Sequence, residues 1–177
     1  MTKLTVREVQ ASDIPTLTQI YNHYIAETII TFDTQAFSYD DMAARIAEVQ
    51  AQGYPFLVLQ HQQEPVGYAY ATRWKARHAY RFAVETTVYL APEQTGQGLG
   101  RVLYVALFER LQPLKVHTIL SCLTLPNPAS VALHEALGMQ QVAHFKEVGY
   151  KLGQWLDVGY WQIVLDNNPT VAPDSFF

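Results

Sequence analysis

The stretch VETTVYLAPEQTGQGLGRVLYVALFERL, residues 84–111, decides the fold. Its first seven residues are mostly β-branched or aromatic, which is typical of a β-strand. Three glycines, Gly96, Gly98 and Gly100, follow within five residues, and the apolar run after them has the spacing of a helix. The stretch therefore predicts a strand, a glycine loop and a helix that begins near Gly98.

The glycine loop has the physical properties of an anion site, although it matches neither common phosphate fingerprint. A Walker loop needs Lys and then Ser or Thr after its last glycine, where this chain has Arg101 and Val102. A dinucleotide loop that starts at Gly96 needs a glycine at position 101. Glycines still allow positive φ angles, and N–H groups at a helix start attract anions. The loop thus predicts either a pyrophosphate cradle or a tight turn that binds nothing.

The strand before the loop offers a second kind of contact. If it diverges from its neighbour at residues 88–90, its free N–H and C=O groups can pair with an amide-bearing ligand by strand addition. The pantetheine arm of coenzyme A carries amides, and the coenzyme carries a pyrophosphate. Coenzyme A therefore suits both the strand edge and the loop.

The composition indicates one folded domain over residues 1–166 and a tail at 167–177. With 49% hydrophobic and 16% charged residues, the 177-residue chain has an ordinary globular profile. Its net charge of −4 argues against nucleic-acid binding, and its apolar runs are too short to span a membrane. The single cysteine, Cys122, favours a reducing cytoplasm, and its apolar surroundings in the sequence predict a buried, unreactive thiol.

Periodicity along the chain predicts a mixed α/β fold. An opening strand precedes a helix that begins at Ser12–Asp13, and a second helix ends at Gly53. Two strands, at 54–61 and 65–74, come before the opening stretch; a strand, a short helix ending at Gly138 and two strands follow it. Because strict strand–helix alternation is absent, we expect a mixed sheet with helices on both faces rather than a doubly wound parallel sheet.

Two motifs resemble the GCN5-related N-acetyltransferase (GNAT) superfamily. TGQGLG, residues 95–100, matches the superfamily's acetyl-CoA loop [QR]-x-x-G-x-[GA], except that Thr95 stands where the pattern has Gln or Arg. NPASVALHEALGM, residues 127–139, resembles the second signature near the acetyl group, with His134 in the place of its Tyr. The resemblance implies a central, twisted, mostly antiparallel sheet and acetyl-CoA as co-substrate.

Further blocks narrow the resemblance to the phosphinothricin N-acetyltransferases and the related methionine sulfoximine and sulfone acetyltransferases. The blocks IYNHYI, TF, WKARHAY, VETTVYL, LHEALGM and GYKLGQWLDVGYWQ occur in order between Val6 and Leu165. The resemblance implies a detoxification enzyme and a homodimer, although the aromatic C-terminal block could equally fill the core. The residues expected to contact acetyl-CoA are Val88, Tyr89, Leu90, Gly96, Gln97, Gly98, Leu99, Gly100, Arg101, Asn127, Ser130 and Ala136.

Glu85 and His134 are the candidate catalytic residues. Glu85 lies on the strand just before the loop, and burial of a carboxylate raises its proton affinity, as a general base requires. The alternative for Glu85 is an ion pair with the basic residues at 73–81. His134 could protonate the departing thiolate, orient a neighbour or only pack. No second histidine completes a zinc helix, so no metal is expected.

A basic stretch, RWKARHAYR at residues 73–81, precedes Glu85 and suggests where an anionic acceptor binds. Lys75, Arg77 and Tyr80 offer cations and donors for phosphinate, carboxylate or sulfoximine oxygens, and a solvated surface loop is the alternative. The resemblance adds Phe32 to this pocket.

Taken together, these features predict acetyl transfer to the α-amino group of a small anionic amino acid such as phosphinothricin or methionine sulfoximine. Both substrates are expected to bind together, with Glu85 as the base and direct attack on the thioester. Another amine acceptor, such as a peptide N-terminus or a polyamine, and a non-catalytic acetyl-CoA sensor stay open as alternatives. Because Thr95 departs from the family pattern, we expect backbone N–H groups to hold the coenzyme.

Overall fold

The computed structural model describes residues 4–165, so the predicted tail at 167–177 lies outside the described residues. The described chain contains seven strands and four α-helices, joined by loops and short 3-10 turns. The elements predicted from periodicity are all present, with ends displaced by a few residues. The strands are β1 (Leu4–Glu8), β2 (Phe56–His61), β3 (Glu64–Arg73), β4 (Ala83–Leu90), β5 (Thr118–Leu125), β6 (Gln140–Lys151) and β7 (Gln154–Val164), and the helices are α1 (Ile14–Glu27), α2 (Tyr39–Ala51), α3 (Leu99–Leu111) and α4 (Pro128–Ala136).

The strands form one mixed sheet in the order β1-β2-β3-β4-β5-β7-β6. Neighbouring strands are antiparallel except for β4 and β5, which are parallel. A parallel pair needs a crossover connection, and the segment that contains α3 supplies it. The expectation of a mostly antiparallel sheet is therefore confirmed.

Helices cover both faces of the sheet because side chains alternate along the strands. On β2, Phe56 and Val58 join the core beneath α1 and α2, whereas Leu57 and Leu59 join the core beneath α3. The same alternation is present on β3 from Tyr68 to Ala71. A slip of one residue in strand register would exchange the two sets, so the register is strongly specified.

Strands β4 and β5 are paired only over their first residues. The parallel ladder joins Ala83–Glu85 to Thr118–Leu120, whereas β4 continues to Leu90 and remains paired with β3 on its other side. The divergence that strand addition by a ligand requires is thus present before the glycine loop. It begins immediately after Glu85.

The ends of the helices follow the local sequence signals. Ser38 caps α2 in a capping box that Asp41 completes, and Gly53 follows its end with a φ of 79°. Gly98 precedes α3 with a φ of 76°, a conformation that glycine adopts without strain. Of the helices within residues 4–165, none is long and apolar enough to cross a membrane.

Candidate active site

A cavity of about 360 Å³ opens where β4 and β5 separate. Arg45 and Tyr70 line it from the side of the sheet that α1 and α2 cover. Tyr104 and His134 line it from the side that α3 and α4 cover. The gap therefore gives a passage through the sheet, and Glu85 lines this passage at the end of the parallel ladder.

Glu85 is partly buried and lies opposite Thr72 of β3. Burial raises the pKa of Glu85 above its usual value of 4.5, and the positive charge of Lys75 opposes that rise. In the part of the chain that the structure describes, no basic side chain forms an ion pair with Glu85. An unpaired carboxylate with a raised pKa at a cavity wall is suited to accept a proton.

His134 is almost fully buried, and both of its ring nitrogens have partners. Nδ1 lies 2.7 Å from the carbonyl oxygen of Ser130, which can only accept, so Nδ1 carries the proton. Nε2 lies 3.1 Å from the hydroxyl of Tyr104 and, in this tautomer, accepts from it. Burial lowers the pKa of His134, although the bond to Ser130 opposes this, and the ring is neutral near pH 7. The geometry favours an orienting role, because Nε2 has no proton to give to a thiolate.

Tyr104 connects His134 to two buried hydroxyl groups. The hydroxyl oxygens of Thr86 on β4 and Ser121 on β5 are 2.8 Å apart, and both side chains hydrogen-bond to Tyr104. Burial raises the pKa of Tyr104 to about 12, although these two hydrogen bonds act to lower it. The phenol therefore stays protonated, and this side of the cavity presents neutral O–H groups.

The glycine loop leaves a row of backbone N–H groups free at the start of α3. Gly96 and Gly98 have φ angles of 75° and 76°, and a Cβ added at either would touch nothing, so the backbone conformation is what requires glycine. The hydrogen bonds within the described chain do not use the N–H groups of residues 96–100. Thr95 Oγ1 instead donates to the carbonyl oxygen of Pro92 at 2.8 Å. The loop geometry therefore suits an anion held by the backbone.

Four of the predicted coenzyme contacts line the cavity. Val88 and Tyr89 lie on the part of β4 that has separated from β5. Asn127 and Ser130 lie at the start of α4, where Asn127 Oδ1 accepts the N–H of Ser130 at 3.1 Å and caps the helix. Asn127 thus caps α4 and lines the cavity at the same time.

The other predicted coenzyme contacts lie outside the cavity lining. The carbonyl oxygen of Leu90 already accepts from Tyr24 at 2.7 Å. A Cβ added at Gly100 would lie 3.0 Å from Leu133, so this glycine allows α3 and α4 to pack closely. Ala136 is exposed on the last turn of α4.

Around the glycine loop, the side chains of Gln97 and Arg101 are exposed and that of Leu99 is buried.

The predicted substrate residues are divided between two places. Phe32 lines the cavity and packs on β6, where a Cβ added at Gly149 would lie 2.3 Å from its ring. Lys75, Arg77 and Tyr80 are exposed on the loop between β3 and β4 and do not line the cavity. The structure therefore does not bring the basic loop together with the rest of the site, although the charge of Lys75 acts on Glu85.

Sequence reasoning missed Arg45, which contributes a cation to the cavity lining. The available signal was its position on α2, three residues after the buried Met42 and four before the buried Val49. An arginine on the apolar stripe of an amphipathic helix is unusual, because charged side chains are seldom buried without a partner.

The prediction that Cys122 is buried is wrong, since its side chain is exposed and lines the cavity. The reason is the divergence of β4, which uncovers β5 at this position. Desolvation by the surrounding protein still raises the pKa of the thiol, so the sulfur stays protonated near pH 7. Among residues 4–165, no three His, Cys, Asp or Glu side chains are grouped so as to hold a metal ion.

Comparison with known proteins places this geometry in a family context. A family model described as Acetyltransferase (GNAT) domain matches residues 6–159. The phosphinothricin N-acetyltransferase of Alcaligenes faecalis is 37% identical over 96% of this chain and 87% of its own length. The L-methionine sulfoximine/L-methionine sulfone acetyltransferase of Salmonella typhimurium is 33% identical over 97% of this chain and 99% of its own.

A solved structure shows the same fold. The phosphinothricin acetyltransferase of Sinorhizobium meliloti, in complex with AcCoA, has a TM-score of 0.90 and 33% identity to this chain. The match covers 98% of this chain and 97% of that chain. This chain therefore shares its overall fold with a relative that was solved in complex with AcCoA.

Proposed function

Since the chain belongs to the GNAT acetyltransferases, and within them to the phosphinothricin and methionine sulfoximine acetyltransferases, we propose that it acetylates the α-amino group of a small anionic amino acid. Acetyl-CoA is the proposed donor. The observation that carries the proposal is the cavity at the β4–β5 gap. There the Glu85 carboxylate, with its raised pKa, lies in a passage between the two faces of the sheet.

Acetyl-CoA would bind at the glycine loop and along the free edge of β4. The free N–H groups at the start of α3 and the positive end of the helix dipole suit its pyrophosphate. The edge that β5 leaves open at residues 88–90 suits the pantetheine amides, although the Leu90 carbonyl oxygen already accepts from Tyr24, and the acetyl thioester then reaches the gap. The Sinorhizobium relative, which binds AcCoA, supports this assignment.

On the proposed path both substrates bind together and the amine attacks the thioester carbonyl directly. Glu85 takes a proton from the acceptor's ammonium group, directly or through a water molecule. The nitrogen then forms the amide bond, the C–S bond breaks, the nitrogen loses its second proton and the coenzyme thiolate gains one. No covalent intermediate on the enzyme is required, which suits a site whose Cys122 thiol stays protonated.

His134 is proposed to position Tyr104 rather than to act as an acid. The neutral ring accepts from Tyr104 and is itself held by the carbonyl oxygen of Ser130. This fixes the phenol at the cavity wall beside the hydroxyls of Thr86 and Ser121. An O–H group of this set that exchanges its present partner for the substrate can donate to oxygen or sulfur where charge develops during acyl transfer.

Release of free thiol from acetyl-CoA tests the proposed activity. The purified protein is expected to release thiol with phosphinothricin, methionine sulfoximine or methionine sulfone, and much less with a polyamine or a peptide N-terminus. Preference for a polyamine or a peptide would assign another acceptor class. Binding of acetyl-CoA with no thiol release for any of these amines would favour the non-catalytic sensor.

The protein is further proposed to be a homodimer that pairs through the hairpin of β6 and β7. Large apolar side chains on this hairpin are exposed, and Trp155 is 62% exposed. Monomeric proteins seldom expose so many together. Light scattering during size-exclusion chromatography is expected to give twice the chain mass, and a monomer would contradict the proposal. The exposed apolar side chains are Val142, Phe145, Val148, Tyr150, Leu152, Trp155 and Val164.

A further inference from the structure

Arg45 is a charged residue of the cavity to which the proposed chemistry gives no role. It faces inward from α2, with its guanidinium carbon 5.0 Å from the ring centroid of Tyr21 and 4.3 Å from that of Phe37. Cation–π contacts of this kind hold a guanidinium in place without using its N–H donors. The side chain is therefore fixed at the cavity wall with donors to spare.

The charges around the cavity are arranged for a zwitterion. Among the described residues that line it, Arg45 is the one Lys or Arg, and the acidic residues are Glu48 and Glu85. Glu48 is exposed, so Glu85 is the partly buried anion. An amino acid presents an ammonium group and at least one oxyanion. Glu85 suits the ammonium group, and the planar guanidinium of Arg45 suits the oxyanion.

The ion pair between Arg45 and Asp33 does not use up the donors of the arginine. Arg45 Nη2 lies 3.4 Å from Asp33 Oδ2, and the Asp33 side chain is 41% exposed. The same carboxylate oxygen accepts the hydroxyl of Tyr21. Long, exposed pairs of this kind contribute little to stability. The Tyr21 and Tyr70 hydroxyls also accept from Arg45, but a guanidinium has five N–H groups, so donors remain available to a ligand.

Neutral hydroxyl groups surround the guanidinium on the same wall, and that of Tyr21 already donates to Asp33. Tyr21, Tyr70 and Tyr89 line the cavity, and burial raises the pKa of each, so all three phenols stay protonated. Burial acts to lower the pKa of Arg45, but Tyr70, Tyr21 and Asp33 outweigh it and the pKa is raised. Arg45 is therefore charged at every pH of interest. A wall with one fixed cation and several O–H groups favours an oxyanion over a second ammonium group.

We propose that Arg45 is the anion-binding residue of the acceptor site and donates hydrogen bonds to a carboxylate or phosphinate of the amino acid that is acetylated. The inference rests on the proposed acetyl transfer and makes its substrate class more specific. It assigns selection for anionic acceptors to α2, instead of to the exposed basic loop that contains Lys75 and Arg77.

Steady-state kinetics at saturating acetyl-CoA test this assignment with four acceptors: phosphinothricin, methionine sulfone and the α-carboxamide of each. Arg45→Gln is expected to raise the KM of an anionic acceptor about tenfold or more, because a charge-assisted hydrogen bond is lost. The KM of acetyl-CoA should change less than about twofold. Arg110→Gln is the matched control, because Arg110 is an exposed cation on α3 that pairs only with Glu8 in the described chain.

The acceptor panel identifies which oxyanion Arg45 binds. Methionine sulfone has a neutral side chain, so a loss of preference for its acid over its carboxamide indicates the α-carboxylate. If Arg45→Gln weakens phosphinothricin and leaves methionine sulfone unchanged, the phosphinate is the bound group. Either result supports the proposal. Arg45→Lys keeps the charge but not the planar fork, so it should lie between the wild type and Arg45→Gln; it replaces Arg45→Gln if that variant does not fold.

Two results would overturn the assignment of Arg45. One is a ratio of kcat/KM for the acid to kcat/KM for its carboxamide that stays, in both Arg45 variants, within about twofold of the wild-type ratio. The other is a tenfold rise in acceptor KM in a Lys75→Gln, Arg77→Gln double variant with no rise in Arg45→Gln. If the wild type releases no thiol with any of the four acceptors, the proposed function itself fails. If the wild type is active and the Arg45 variants keep its acceptor KM and acceptor preference, only the role proposed for Arg45 fails.

Discussion

The two sides of the cavity differ in charge. The side of α1 and α2 includes Arg45, and Glu85 on β4 lies where the gap begins. The side of α3 and α4 presents hydroxyl groups and the neutral ring of His134, which Tyr104 joins by a hydrogen bond. We call the side with Arg45 and Glu85 the charged wall and the side with Tyr104 and His134 the neutral wall. The charged wall suits a zwitterionic acceptor, whereas the neutral wall, with its hydroxyl groups, suits an uncharged thioester.

This difference gives each wall its own kinetic signature. Changes on the charged wall should depend on pH and on the charge of the acceptor, because they alter interactions with ionised groups. Changes on the neutral wall should lower turnover by the same factor for every acceptor, because all acceptors share one thioester. Variants of Glu85, Tyr104 and Thr95 test this contrast between the two walls, and their expected effects decrease in that order.

Glu85→Gln is expected to have the largest effect. Removal of a general base typically lowers kcat/KM by roughly 10²- to 10⁴-fold. In the wild type, kcat/KM should fall as the pH drops through the raised pKa of Glu85, with a midpoint above 4.5, and this acid limb should vanish in the variant. The measurement is a pH profile of kcat/KM, with the exposed Glu109→Gln on α3 as control. If the fall of kcat/KM at low pH persists unchanged in Glu85→Gln, a group other than Glu85 is the general base.

Tyr104→Phe tests the neutral wall. It removes one hydroxyl and leaves His134 Nε2 without its partner, which should cost about 1–3 kcal/mol of the free energy of unfolding. We expect kcat to fall about tenfold by the same factor for every acceptor, with acceptor KM little changed. Kinetics and denaturant unfolding measure the two effects, and the exposed Tyr39→Phe is the control. A loss that depends on acceptor charge would contradict the contrast between the walls.

Thr95→Ala is expected to have the smallest effect. The Thr95 hydroxyl is already bonded to the carbonyl oxygen of Pro92, so its loss should change acetyl-CoA affinity less than about twofold. Gly98→Ala is the informative companion, because an L-residue at this positive φ is strained by about 1–2 kcal/mol and the loop should bind about tenfold less tightly. Titration calorimetry with acetyl-CoA measures both. A tenfold loss of acetyl-CoA affinity in Thr95→Ala would show that the Thr95 side chain, and not the backbone alone, binds the coenzyme.

Much of the fold could be predicted because its signals are local. Gly53 and Gly138 follow helices with positive φ angles, as expected of helix-ending glycines. The β-branched run before the loop forms β4, and the raised pKa of Glu85 follows from its place on that strand. Sheet order could not be read from the chain, because β7 lies between β5 and β6 through pairings that no local pattern specifies.

The candidate site was predictable only in part. The basic residues of the β3–β4 loop and the arginine on α2 show why. Lys75 and Arg77 adjoin Glu85 in sequence, yet both are exposed on a loop outside the cavity lining. Arg45 lies forty residues earlier and lines the same cavity as Glu85. Proximity in sequence indicates a common local structure, whereas proximity across a sheet depends on how helices pack over it.

The sequence by itself determined the elements, the glycine loop and the strand position of Glu85, because backbone conformation and side-chain alternation depend on neighbouring residues. Only the tertiary structure decided which groups face the cavity. The divergence of β4 from β5 exposed Cys122, the packing of α4 on α3 brought Tyr104 to His134 Nε2, and the packing of α2 on the sheet brought Arg45 to the wall. Each of these outcomes depends on contacts between segments that are distant along the chain.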